Sequence, residues 1–206
     1  MQTMSFFESP ATTGAAVAHA VAVSPPAWAG PPHNVLPGLV PAELIVARTD
    51  QTVVAVTALR AYPTGFGFTL SLRLRHISSQ QQRQFASLFG YGLPEGEPLP
   101  DEFLRFGVQL ADGRKATNLD QRPFPDDGEP EAPVLIEQSS SGYGTSAWDT
   151  EEWVWPLPPP GPLAFVCEWP GRGIGQSRAE IGGDMIRQAA GRAVTLWPDE
   201  SGSQTT

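Results

Sequence analysis

With 206 residues, 40% of them hydrophobic and 17% charged, the chain has enough apolar material for one domain with its own core. Gly 21 and Pro 22 together exceed a fifth of the residues, which excludes an architecture of long helices and calls for many turns between short strands. The formal charge is −9, and ten carboxylates face four basic residues between Glu95 and Glu131, so phosphate backbones and anionic membrane surfaces are repelled.

Residues 1–30 are rich in Ala, Pro, Thr and Gly without sustained periodicity and read as a flexible N-terminal tail, followed by a single domain over 31–198 and a disordered end over 199–206. The apolar stretch 12–23 before Ala27-Trp28-Ala29 has the outline of a signal peptide. It lacks the basic n-region, and with Cys167 as the single cysteine, no internal disulfide can form, so the expectation is a soluble cytoplasmic protein. No stretch approaches the roughly 18 apolar residues that span a bilayer.

Leu44 to Arg48 and Thr52 to Tyr62 read as strands joined by a tight turn at Asp50-Gln51, with Val54, Val56 and Ala58 on one face. After the Pro63-Thr64-Gly65 turn, Phe66, Phe68, Leu70, Leu72 and Leu74 alternate with Gly67, Thr69, Ser71, Arg73 and Arg75, a half-buried strand. Ser79 and Gln82 have the form of a capping box, which predicts a short helix closed by Gly90. Leu104 to Leu110 and Arg114 to Asn118 read as a hairpin across Asp112-Gly113. An acidic loop follows from Arg122 to Pro133. Val134 to Gln138, a Ser/Gly connection, Trp148 to Leu157, Leu163 to Trp169 and Ser177 to Ile181 complete the strands. Asp184 is placed to cap a second short helix with Met185, Ala189 and Ala193 on one stripe and Ile186, Ala190 and Val194 beside it.

Many short strands and two small helices predict an all-β fold, an antiparallel β-sandwich of immunoglobulin-like or jelly-roll-like type. The run Trp153 to Pro170, WVWPLPPPGPLAFVCEWP, holds three of the six Trp and six of the 22 Pro, and reads as two core strands and a stiff bridge, with Trp153, Trp155 and Leu157 sharing the core face. Cys167 falls in its apolar alternation and reads as a buried small hydrophobe. With the following RGIGQSRAEI and DMIRQAAGRAVTLWP, and RTDQTVVAVTALRAYPTGFGFTL nearer the start, this run resembles a group of uncharacterised actinobacterial proteins. The resemblance covers about half the chain and implies a compact domain with no transferable catalytic residues.

Several chemistries fail on their spacing. Gly171-Arg172-Gly173-Ile174-Gly175 follows a strand but lacks the G-x-G-x-x-G order and a following helix, so it reads as a plain loop. His19, His33 and His76 are scattered, and Asp126-Asp127-Gly128-Glu129 lacks the calcium-loop pattern, so no metal and no cofactor are expected. Ser139 to Gly144 contains no nucleophile elbow. One arrangement is chemically sharper: if Trp153 to Leu157 and Leu163 to Trp169 form a symmetric hairpin, Glu152 faces Glu168, and two facing carboxylates are the catalytic candidates for glycosidase-type acid/base work. Trp148, beside Asp149, is the candidate surface ring for stacking on a ligand.

The expected role is therefore a soluble, non-enzymatic binding or assembly protein with a possible protein partner, and the alternative is a carbohydrate-binding or glycoside-cleaving sandwich using Trp148, Glu152 and Glu168. A binding role predicts an exposed apolar patch of several hundred Å² outside the core.

Overall fold

Strand β5, Phe66–Leu74, decides which side of the molecule is inside, because Phe66, Phe68, Leu70, Leu72 and Leu74 are all buried on one of its faces. In the computed structural model, which describes residues 26–75, 99–120, 123, 128–143 and 146–197, eleven further strands are arranged around it. They are β1 (Val35–Leu36), β2 (Gly38–Leu39), β3 (Leu44–Arg48), β4 (Thr52–Ala61), β6 (Arg105–Gln109), β7 (Lys115–Thr117), β8 (Val134–Tyr143), β9 (Ala147–Trp155), β10 (Pro162–Trp169), β11 (Ile174–Gly182) and β12 (Val194–Thr195).

One antiparallel sheet runs β2-β4-β5-β9-β8 with β3 also on the edge of β4, a second runs β11-β10-β6-β7, and β1 pairs with β12 in a separate ribbon. The two larger sheets face each other, and the protein is an all-β antiparallel sandwich. Phe68 of the first sheet bridges the layers, with its ring 5.1 Å from Phe165 and 5.9 Å from Phe106 of the second. Cys167 lies in this interior, and burial pushes its thiol up to about 11, which leaves it an inert apolar group.

The hairpins form where turn chemistry places them. Between β3 and β4, Thr49 donates its N–H to Thr52 O at 2.8 Å, and between β6 and β7, Gly113 at φ 86° supplies the left-handed turn residue. The Ser/Gly connection is a correction: residues 139–143 continue β8, because they find ladder partners on β9 from Ala147 to Glu151 past a bulge between Glu137 and Ser139. Alternation along β4 also breaks. Ala58 takes a φ of 48° and the register shifts between Thr57 and Arg60, so Leu59 and Ala61 are buried, while Ala58 is exposed and Arg60 turns outward.

The expected helix over residues 79–90 lies outside the described residues. The second one is present as α1, Gly183–Ala190, with a different cap and stripe. Gly182 is its N-cap without a side-chain hydrogen bond, and Asp184 sits in the first turn with its carboxylate accepting the Gly161 N–H at 3.4 Å. Ile186, Ala189 and Ala190 are buried, whereas Met185 and Val194 are exposed. The i, i+3, i+4 stripe that faces the sheet begins one residue later than the sequence suggests.

The Trp-rich run crosses between sheets. β9 belongs to the first sheet and β10 to the second, so the segment 156–161 is a bridge, anchored where Leu157 donates its N–H to Thr64 O at 2.8 Å and Gly183 to Gly161 O at 2.6 Å. Its upstream half faces opposite to expectation. Phe66 pairs with Val154 and Phe68 with Glu152, which sets Val154, Glu152, Thr150 and Trp148 on the interior side and Trp153 and Trp155 on the outside of the sheet. Trp153 is nonetheless fully buried. It fills the space above Gly65, where an added Cβ would lie 2.6 Å from its ring, and meets Tyr62 edge-on at 5.5 Å. Beside it, Trp28 is buried against Val134 and Ile136, with Trp155 packed on the same cluster. Among the described residues the packing thus already includes Trp28, which lies within the stretch 1–30 expected to be a flexible tail.

Candidate functional site

The outer face of the second sheet carries a groove of about 510 Å³ whose shape follows from register. Val166 of β10 pairs with Arg178 of β11 on one side and with Gly107 of β6 on the other, and Gly107 pairs with Thr117 of β7. This row, Arg178, Val166, Gly107, Thr117, runs across the strands with small or apolar groups in its middle, and Thr117 packs so close over Gly107 that a Cβ there would lie 2.9 Å from its methyl. Glu168 and Arg105 form the row on one side of it, and Gln109 and Lys115 belong to the row on the other.

Three cations, Arg105, Lys115 and Arg178, line this groove against one carboxylate, Glu168, in a chain whose formal charge is −9. Arg105 Nη1 pairs with Glu168 Oε2 at 3.0 Å, while its Nε is buried without a hydrogen-bond partner among the described residues. Arg178 donates from Nε to Glu180 Oε1 at 2.7 Å and from Nη1 to Gln109 Oε1 at 2.8 Å, and the two bonds fix its guanidinium. Lys115, the single lysine, is exposed on edge strand β7 with no ion-pair partner among the described residues. A ligand lying in this trough meets donors along both walls and an apolar floor.

The residues singled out from sequence do not assemble into a site. Glu168 belongs to this groove, where Arg105 neutralises it, and Arg178 pairs with Glu180. Glu152 lies in the other sheet, opposite Phe68 and Glu137, so the hairpin that would bring Glu152 to Glu168 does not exist. Glu152 is 8% exposed, and burial pushes its carboxyl up to about 7 against the hydrogen bond donated by Thr150 Oγ1 at 2.9 Å, with the facing Glu137 adding to the rise. Trp148 is turned to the interior side, half-buried against the core and lying over Gly142 of β8, where an added Cβ would be 3.1 Å from the indole nitrogen. The glycine loop is a 3₁₀ turn at Pro170–Arg172, with Gly171 donating its N–H to Asp101 O at 2.7 Å.

Sequence reasoning passed over Arg105, Gln109, Lys115 and Arg178. The available signal was the alternation Arg105, Gly107, Gln109 outward against Phe106 and Val108 inward, but nothing local says that β10 and β11 lie beside it. Among the described residues no group of three or more His, Cys, Asp or Glu is placed to hold a metal ion, and no helix is long and apolar enough to cross a membrane. Comparison with protein-family models, curated proteins and solved structures finds no match to the chain.

Proposed function

We propose that the protein is a non-enzymatic binding protein whose groove on the β11-β10-β6-β7 sheet takes an extended acidic segment of a partner protein. The observation that carries this reading is the concentration of Arg105, Lys115 and Arg178 around an apolar floor in an otherwise acidic chain. Local potential, rather than net charge, governs what a groove attracts at short range, because screening reduces distant charges over about 10 Å at moderate salt. Four strands at about 4.8 Å spacing give a trough roughly 15 Å across, which fits about four or five extended residues.

Fluorescence anisotropy of a labelled Asp/Glu-rich peptide tests it. Binding is expected to weaken about tenfold or more on Lys115→Glu or Gln109→Glu and to fall with added salt, while a neutral peptide of equal length does not bind. Equal binding of both peptides, tight binding of a single-stranded oligonucleotide, or indifference to both substitutions overturns the reading.

A further inference from the structure

Eight large hydrophobic side chains are exposed among the described residues, and five of them, Leu36, Leu39, Val194, Leu196 and Trp197, sit on or beside the β1–β12 ribbon. Leu36 pairs directly with Val194, and Leu196 donates its N–H to Asn34 O at 2.7 Å, so Leu36, Val194 and Leu196 share one ribbon face. Leu39 is tied to the same corner through Arg192, whose Nη2 donates to Leu39 O at 2.8 Å, and Trp197 follows at the other end. Leu39 is 68% exposed and Trp197 64%. Among the described residues the ribbon has no third hydrogen-bonded strand, and a two-stranded sheet with an uncovered apolar face is marginal in water.

We infer that this face is the interface between two copies of the chain, related by a two-fold axis. Three observations select a second copy. First, the five side chains expose roughly 400–500 Å² of apolar surface, and apposing two such patches removes about twice that, near the ~1,000 Å² at which specific interfaces begin. Second, residues 26–42 and 193–197 contain no Asp, Glu, Lys or Arg, and Arg187 and Arg192 are the only charges between 185 and 198. The ribbon's own residues therefore add no like-charge repulsion to a contact between two chains of charge −9, and the charges that flank them in sequence are of both signs, Glu43, Asp199 and Glu200 against Arg187 and Arg192. Third, an isologous contact needs only that the patch match itself, and a flat aliphatic ribbon flanked by one large ring does so without a separate complementary surface. The inference is independent of the groove, which lies on another sheet.

Light scattering coupled to size exclusion, run on the full chain across micromolar concentrations, reads the outcome directly. The expected mass is twice the 22.1 kDa of one chain, falling to that of one chain in Leu39→Glu and in Trp197→Ser, both of which leave the far-ultraviolet circular dichroism unchanged because the side chains are exposed. Lys115→Glu is expected to remain dimeric, so a failed groove and a failed dimer are told apart. The inference is overturned by a wild-type monomer at every concentration, including one that floats with phosphatidylcholine vesicles and so assigns the ribbon to a lipid surface. It is equally overturned by a dimer that survives both substitutions.

Discussion

On the outer face of the first sheet, the central charges pair off: Arg60 with Glu151, which also accepts from Thr69 Oγ1 at 2.7 Å, and Arg73 with Asp149 through two hydrogen bonds of 2.7 and 3.1 Å. The Arg73 hydrogen bonds hold the Asp149 carboxyl below its ordinary range, and the apolar remainder of that face is closed by Trp28 over Val134 and Ile136 and by Trp153 over Gly65. Among the described residues the outer face of the second sheet keeps Lys115 without an ion pair and shows no aromatic ring lying over Val166, Gly107 and Thr117. Both faces are built from the same alternation of strands. Opposite charges pair across neighbouring strands on both, Arg105 with Glu168 on the second sheet; what differs among the described residues is the large rings, which close the first face and are not among the outward groups of the second.

Truncating the cover should break the comparison most visibly. Trp153→Ala is expected to cost about 3–5 kcal/mol in urea unfolding, as for other fully buried aromatic side chains. A loss under about 1 kcal/mol would mean that the cover carries little of the fold.

Turning Trp153 outward puts Glu152 inward, and that carries a pH signature. Folding raises this carboxyl from 4.5 to about 7, so the native state holds the proton more tightly than the unfolded chain. Its favourable contribution is fully present below pH 4.5 and is lost as pH rises through about 7, a change of about 3 kcal/mol for that shift. Glu152→Gln should therefore be more stable than wild type at pH 8 and nearly equal to it at pH 4. Parallel pH profiles of the two proteins, measured by chemical denaturation, would show a wrong assignment of the β9 faces.

A smaller effect sharpens the origin of the charge pairing. The bulge at Ala58 is what turns Arg60 to the side of Glu151, and an alanine at φ 48° carries left-handed strain of about 1–2 kcal/mol, partly offset in glycine by chain entropy. Ala58→Gly is expected to raise stability by about 0.5–1 kcal/mol and Ala58→Val to lower it, read as opposite shifts in melting temperature. The smallest change belongs to the open face. Lys115→Glu should leave stability within about 0.5 kcal/mol of wild type while weakening acidic-peptide binding about tenfold or more, the dissociation that marks a surface not needed for folding.

Much of the local structure was legible. Leu44 to Arg48, the Phe66 to Leu74 alternation and the Asp112-Gly113 turn appear where their residues place them, because side-chain period and turn chemistry act over a few neighbours. The site was not legible for the reason that also misplaced Glu152. Alternation says that Trp153 and Glu152 point to opposite sides, but only pairing with Phe66 and Phe68 says which side is interior. Ala58 shows the same limit at a single residue: a bulge shifts every later side chain on β4, and it shows only in the cross-strand register with β5.

By itself, then, the sequence determined the all-β class, the short antiparallel elements and the inert Cys167, since these rest on periodicity, turn residues and apolar patterning within single strands. Only the tertiary structure decided that β9 and β10 lie in different sheets, that Trp28 and Trp153 close one outer face, and that Arg105, Lys115 and Arg178 converge on the other. Convergence of that kind depends on which strands become neighbours. Strand order brings together rings far apart along the chain, such as Phe68, Phe106 and Phe165, contacts to which a reading along the chain has no access.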